Sequence, residues 1–183
     1  MAQISLKNLM TNSAPTYAAE VAQPFRDELT EIDFKELLTP ADVDAALNKQ
    51  DDKVSLVVLN SVCGCAARGA RPGAIFSLLN DTVPDEAFTV FAGMEKEAVD
   101  HFRTSYLQGI TPSSPNIALF KNGKMVHMLQ RHQIEGKNAG QIAQELGDAY
   151  DNICTKTHSA DELDNLKNYL VKRYHVTMES LNE

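Results

Sequence analysis

Residues 54–60, VSLVVLN, form a short, almost unbroken apolar run, and the next residues are SVCGCA. Such a run reads as a strand buried on both faces, the habit of parallel sheets whose two faces are covered by helices. The flanking patterns fit that frame. Tyr17 to Leu29 has helical spacing, with Val21, Phe25 and Leu29 recurring at every fourth residue and Pro24 set to begin or kink the helix. Thr39-Pro40 supplies a capping hydroxyl and a first-turn proline for a helix to about Lys49. Cys65 to Leu79 is expected as a helix with Ile75, Leu78 and Leu79 inward, bent by Pro72.

Further along, Ala87 to Phe91 reads as a second strand and Glu95 to Leu107 as a helix. Thr111 to Pro115 is a rigid loop, and Ile117–Phe120 and Met125–Leu129 are strands. Asn122-Gly123 joins them, a strong hairpin signal because both residues tolerate positive φ. Ala139 to Cys154 and Asp161 to Tyr174 are helical, the latter with Leu163, Leu166, Leu170 and Tyr174 on one stripe. Two parallel strands with crossover helices, then an antiparallel hairpin, give a mixed sheet covered on both faces. Residues 1–16 have no periodicity and read as an N-terminal arm. Residues 17–154 read as the domain, and residues 155–183 as a C-terminal helical extension whose stripe packs on it.

The net charge is −8, from 17 basic and 25 acidic residues, with no Lys/Arg block longer than two. No basic footprint for nucleic acid or an anionic membrane is present, and neither partner is expected. No run has signal-peptide or membrane-spanning length, so the expected compartment is the cytoplasm. Only three cysteines occur, Cys63, Cys65 and Cys154, too few and too odd in number for a secreted disulfide framework. In a reducing compartment, close thiols point to redox chemistry or metal. No spaced second ligand pair accompanies CGC, and only His127 and His132 share a neighbourhood, so no metal is expected.

Cys63 lies just beyond a strand and just before a helix. Free N–H groups and the helix dipole there favour a thiolate, the attacking form in disulfide exchange. Reduced Cys63 is expected to titrate below the ordinary thiol value of about 8.5. Arg68 and Arg71 add nearby positive charge as electrostatic support. Residues i and i+2 of a helix point to nearly opposite sides, so pairing with Cys65 requires Cys63 to stand outside the helix. Gly64 permits the backbone angles this needs. The ring is one residue smaller than C-x-x-C and is expected to be strained. Its couple should then be more oxidising than thioredoxin at about −270 mV and nearer to protein disulfide isomerase at about −180 mV. Two buried, inert cysteines are the bland alternative, and burial in a helix is the favoured reading of Cys154. Pro115, immediately before the third strand, is a candidate cis-proline.

NSVCGCA at 60–66, ARP at 70–72, VFAG at 90–93, PSSP at 112–115 and RHQIEG at 131–136 together resemble the bacilliredoxin family over about residues 17–154. The resemblance implies an α/β, thioredoxin-like three-layer α/β/α fold with a mixed central sheet. It implies a thiol-disulfide oxidoreductase that removes bacillithiol from protein mixed disulfides, Cys63 attacking and Cys65 resolving. Ser114 and Pro115 would border the substrate. S-thiolated proteins are the implied partners, and bacillithiol is the implied low-molecular-weight co-substrate, with no tightly bound cofactor. The chain departs from the family pattern in a longer arm and in residues 155–183, which are expected to be dispensable for thiol exchange. No tryptophan precedes Cys63, which disfavours a generic thioredoxin role. The alternatives are a general protein disulfide reductase or isomerase, and a non-enzymatic redox-sensing adaptor.

Overall fold

The computed structural model describes residues 14–181. Helix α1 (Ala19–Thr30), strand β1 (Lys35–Glu36) and helix α2 (Pro40–Leu47) lead into strand β2 (Val54–Asn60). A π-helical turn (Ala66–Ala70), helix α3 (Arg71–Ser77), strands β3 (Thr82–Val83) and β4 (Glu86–Phe91), and helix α4 (Lys96–Tyr106) follow. The hairpin of β5 (Asn116–Lys121) and β6 (Lys124–Leu129) comes next, then α5 (Arg131–Ile134), α6 (Ala139–Ile153), β7 (Lys156–Thr157) and α7 (Ala160–Tyr174). Most of the arm expected over residues 1–16 lies outside the described residues. At its inner end the Thr16 N–H donates to the Gly93 carbonyl at 2.6 Å.

The central sheet has the order β1-β4-β2-β5-β6. β2 runs parallel to β4, from Ser55–Glu86 to Asn60–Phe91, and antiparallel to β5, from Val54–Lys121 to Leu59–Asn116. Every residue of β2 is buried, because it is paired on both edges and covered on both faces. Leu56 and Val58 join Ile75, Ile142, Leu146 and Tyr150 on the α1/α3/α6 side. Val57 and Leu59 join Val43, Leu47, Val99 and Phe102 on the α2/α4 side. The result is an α/β, thioredoxin-like three-layer α/β/α architecture with a mixed central sheet. Local chemistry sets several ends as expected. The Thr39 hydroxyl accepts from the Asp42 N–H while the Asp42 carboxylate accepts from the Thr39 N–H, a complete capping box. Asn122 (φ 51°) and Gly123 (φ 73°) both take positive φ in the β5–β6 turn.

The structure departs from the sequence reading in four places. The inward stripe of α1 is Ala22, Phe25 and Leu29, and Val21 is 50% exposed. A stripe built only on fourth residues drifts around the helix, and Ala22, three before Phe25, brings it back to the core. The helix expected over Cys65 to Leu79 opens as a π-helical turn, in which the Arg71 N–H reaches the Ala66 carbonyl. Pro72, which lacks an N–H, falls in the first turn of α3, where a proline is tolerated. That helix ends at Ser77, and Leu78 and Leu79 lie half-buried in the following turn. Finally, β1 extends the sheet along β4, and β3 and β7 form a separate two-stranded ribbon, none of them expected.

Two glycines let α6 press against the helix that carries the cysteines. A Cβ at Gly73 would stand 2.5 Å from Ile142 Cγ2, and one at Gly69 would stand 3.1 Å from Ile142 Cδ1. The extension packs on the same side. α7 is opened by a Ser159–Glu162 capping box and buries Leu166 and Leu170 in the main core, with Leu163 half-buried. Burying each leucine contributes roughly 1.5–3 kcal/mol, enough to hold the helix in place. The Tyr174 ring lies 5.2 Å from that of Phe76 on α3. Among the described residues no helix is long and apolar enough to cross a membrane.

Candidate active site

Strand β2 ends where its last side chains turn from core to site. The buried Asn60 anchors this end, its Nδ2 donating to the Phe25 carbonyl at 2.9 Å and its Oδ1 accepting from the Ser61 N–H at 2.8 Å. Three residues after Asn60, Cys63 stands before the helix. Its carbonyl accepts from the N–H groups of Ala66 and Ala67, both at 3.1 Å. Cys65 already has helical angles (φ −70°, ψ −31°). One cysteine outside the helix and one in its first turn is the arrangement that C-x-C pairing requires. The two sulfurs lie 2.6 Å apart, both are free thiols, and both are half-buried.

The two thiols have opposite electrostatics. Burial pushes Cys63 up, but hydrogen bonds from Cys65, from the Ser61 hydroxyl and from the Ala66 and Cys65 N–H groups outweigh it and lower its pKa. The Ser61 Oγ lies 3.1 Å from the Cys63 sulfur, and toward a thiolate only the hydroxyl can donate. Cys65 is raised, first by burial, then by its hydrogen bond to Cys63 and by the Cys63 charge, with Arg131 opposing.

Arg131, which the sequence reading placed in a motif but did not single out, ties several parts of the site together. Its guanidinium donates to the Ser114 carbonyl at 3.2 Å and pairs with Glu135 at 3.0 Å. Its own pKa is raised, first by the bond to Glu135 and then by Cys65 and Cys63. Its backbone N–H donates to Asn116 Oδ1 at 3.0 Å, and the same oxygen accepts from the Ser113 hydroxyl at 3.1 Å. These bonds fasten the proline loop to the start of α5. The Ser114–Pro115 bond is cis. Pro115 lies one residue beyond the last β2–β5 pair, Leu59–Asn116, at the sheet end from which Cys63 emerges. The sequence signal for Arg131 was its place two residues after a strand, at the opening of RHQIEG.

The two arginines expected as electrostatic support occupy different places. Arg68 is exposed and folds back over the cysteine loop, its Nη2 lying 3.3 Å from where a Cβ on Gly64 would stand. Among the described residues it has no ion pair or hydrogen bond. Arg71 is buried, 1% exposed, beneath the strand end. Its Nε donates to Glu28 Oε2 at 2.5 Å, and its Nη1 donates to Asn60 Oδ1 at 3.0 Å and to the Ser61 carbonyl at 2.9 Å. The guanidinium also stacks over the Phe25 ring, 4.8 Å from its centroid. Among the described residues Arg71 therefore meets the cysteines only through Ser61.

A groove of about 580 Å³ opens beside the cysteines, lined by Cys63, Cys65, Arg68, Arg131, Glu135 and Lys137 among others. Cys154 caps α6 well away from that lining. It is 6% exposed, and burial, then Asp85 and Asp151, push it up to about 11. Among the described residues no cluster of three or more His, Cys, Asp or Glu is placed to hold a metal ion.

A family model described as disulphide isomerase matches residues 17–154. The chain is 48% identical over 138 residues to a bacilliredoxin of Halalkalibacterium halodurans, covering 75% of this chain and 94% of the relative. It is 45% identical over 139 residues to a bacilliredoxin of Salinibacter ruber (76% and 81% covered). It is also 45% identical over 137 residues to one of Cytophaga hutchinsonii (75% and 99% covered). Among solved structures it is similar to a putative oxidoreductase with a thioredoxin fold, at 17% identity and TM-score 0.44, with 63% of this chain and 95% of that one covered.

Proposed function

Because the chain belongs to the bacilliredoxin family, a group of thiol-disulfide oxidoreductase-like proteins, we propose that it removes bacillithiol from protein mixed disulfides, with Cys63 attacking and Cys65 resolving. The Cys63 thiolate attacks the bacillithiol sulfur of the mixed disulfide. That S–S bond breaks, the substrate protein leaves as a thiolate, and Cys63 carries bacillithiol. Cys65 then attacks the Cys63 sulfur and expels bacillithiol as a thiolate, which leaves a Cys63–Cys65 disulfide. Alternatively, a second bacillithiol clears Cys63 directly and forms its own disulfide. The observation that carries the reading is the pair itself: the sulfurs lie 2.6 Å apart, and hydrogen bonds from Cys65, Ser61 and backbone N–H groups favour the Cys63 thiolate. Arg68 lines the groove with no ion pair among the described residues, whereas Arg131 and Lys137 there are paired with Glu135 and Glu145, so Arg68 is the cation proposed to meet an anionic thiol. Ser114, whose carbonyl accepts from Arg131 of the groove, and Pro115 are proposed to border the substrate.

The test is trapping. Cys65→Ala, mixed with an S-bacillithiolated protein, is expected to accumulate bacillithiol on Cys63, read by peptide mass spectrometry. Label found only on Cys154 would sink the assignment. The family description favours one second reading, disulfide isomerisation or reduction of protein substrates in general. It requires turnover of a scrambled-disulfide protein without bacillithiol, and the two readings separate on that assay.

A further inference from the structure

Helix α7 lies outside the matched region, residues 17–154, yet its last residue reaches the support of the redox site. The Tyr174 hydroxyl donates to Glu28 Oε1 at 2.6 Å. The other oxygen of that carboxylate accepts from Arg71 Nε at 2.5 Å. Arg71 Nη1 donates to the Ser61 carbonyl at 2.9 Å, and the Ser61 hydroxyl lies 3.1 Å from the Cys63 sulfur. A second tyrosine of α7, Tyr169, donates to the Glu28 carbonyl at 2.9 Å. Glu28, Arg71 and Ser61 are all buried, so water has little access to the middle of this run of bonds.

We infer that α7 is part of the redox site, with Tyr174 as a positioning residue that holds Glu28 on Arg71 and, through Arg71, sets the Ser61 hydroxyl against Cys63. Each oxygen of the Glu28 carboxylate has one side-chain partner, Tyr174 on one and Arg71 on the other. Without the Tyr174 hydroxyl, one oxygen of a buried carboxylate is left bare. It regains a partner most directly by turning further onto Arg71, which draws that guanidinium away from Ser61. The backbone at Ser61 then loosens, and the hydrogen bond to Cys63 lengthens. The helix expected to be dispensable thus acts on the chemistry without touching substrate. The inference rests on Cys63 being the reactive thiol and needs no particular thiol substrate.

The full-length Tyr174→Phe variant tests it. The ring and its contact with Phe76 remain, and only the hydroxyl is lost. The groups facing Cys63 from elsewhere, Cys65, Arg68 and Arg131, are unchanged. The readout is the pH profile of iodoacetamide alkylation at Cys63, mapped by peptide mass spectrometry, with Leu166→Ala as a variant that loosens α7 without touching Glu28. Tyr174→Phe is expected to move the profile to higher pH, with about twofold less thiolate at neutral pH because a hydrogen bond to the charged form is weakened but not lost. Leu166→Ala is expected to melt earlier with its profile unmoved. A Tyr174→Phe profile that superimposes on the parent's would overturn the inference, as would a shift of equal size in Leu166→Ala. Neither result bears on whether bacillithiol is the substrate, which the trapping experiment decides.

Discussion

Replacing Ser61 with Ala isolates one hydrogen bond at the Cys63 sulfur. The scaffold at this position uses only backbone, since the Ser61 N–H donates to Asn60 and its carbonyl accepts from Arg71. Both bonds survive the change, and only the hydroxyl 3.1 Å from Cys63 disappears. A hydrogen bond to a charged group contributes about 1.5–3 kcal/mol. Cys63 is half-buried, so water recovers part of that, and about 1 kcal/mol of thiolate stabilisation should be lost, roughly a fivefold fall in the thiolate-to-thiol ratio. The sign is fixed: the lost bond favoured the charged form, so the titration moves to higher pH. Rates respond less. A more basic thiolate is the better nucleophile, with a Brønsted slope of about 0.4–0.5, so alkylation at neutral pH should slow only about twofold. Ultraviolet absorbance of the thiolate against pH therefore gives the clean measurement. An unmoved titration, or one moved to lower pH, would show that the hydroxyl does not stabilise the Cys63 thiolate.

Three other perturbations have readable outcomes. Gly73→Ala puts a Cβ 2.5 Å from Ile142 and should cost about 1–3 kcal/mol of overpacking, less up to about 1 kcal/mol gained in helix propensity; a raised thermal midpoint would contradict the close approach of α3 and α6. Arg71→Met leaves Glu28 buried without its cation and should cost about 3–5 kcal/mol in urea unfolding, much of it recovered by adding Glu28→Leu; a neutral single variant would mean the pair is not buried as described. Cys154 keeps its proton in the folded state up to about 11, whereas the unfolded thiol loses it near 9. Its contribution is therefore complete below about pH 9 and lost as pH rises toward 11, and Cys154→Ala should flatten that part of the stability curve relative to the parent.

What could be read from the sequence follows from how local each signal is. β2 announced itself by an apolar run, α2 by Thr39-Pro40, and the hairpin by Asn122-Gly123, each a few residues long and self-sufficient. β1, β3 and β7 have two residues each and no periodicity. They exist only because distant strands pair with them, as Lys35 does with Phe88 and Thr82 with Thr157. The same divide runs through the site. Cys63, Cys65 and Pro115 stand out by local pattern. Arg71 stood out as positive charge near the cysteines, but its direction is set by Glu28, far away on α1, and no local pattern links the two. Tyr174 read as part of an apolar stripe, which it is, since its ring packs on Phe76 while its hydroxyl does something else.

The opposed shifts of the two thiols bear on the order of events. They titrate as a pair, so the lowered Cys63 and the raised Cys65 are two sides of one proton held between them. In the reduced protein, burial, then the hydrogen bond to Cys63 and the Cys63 charge, keep Cys65 protonated. In the proposed mechanism Cys63 is next spent in a mixed disulfide, and that charge is then gone. The burial that raises Cys65 remains, and so does Arg131, which lowers it. Cys65 therefore ionises more readily after the first exchange than before it. A resolving thiol needs this timing, because an early thiolate would compete for substrate while a late one attacks only the loaded neighbour. Arg131 is also the residue whose guanidinium donates to the Ser114 carbonyl in the proline loop, so the group that assists Cys65 is held by the segment proposed to border the substrate.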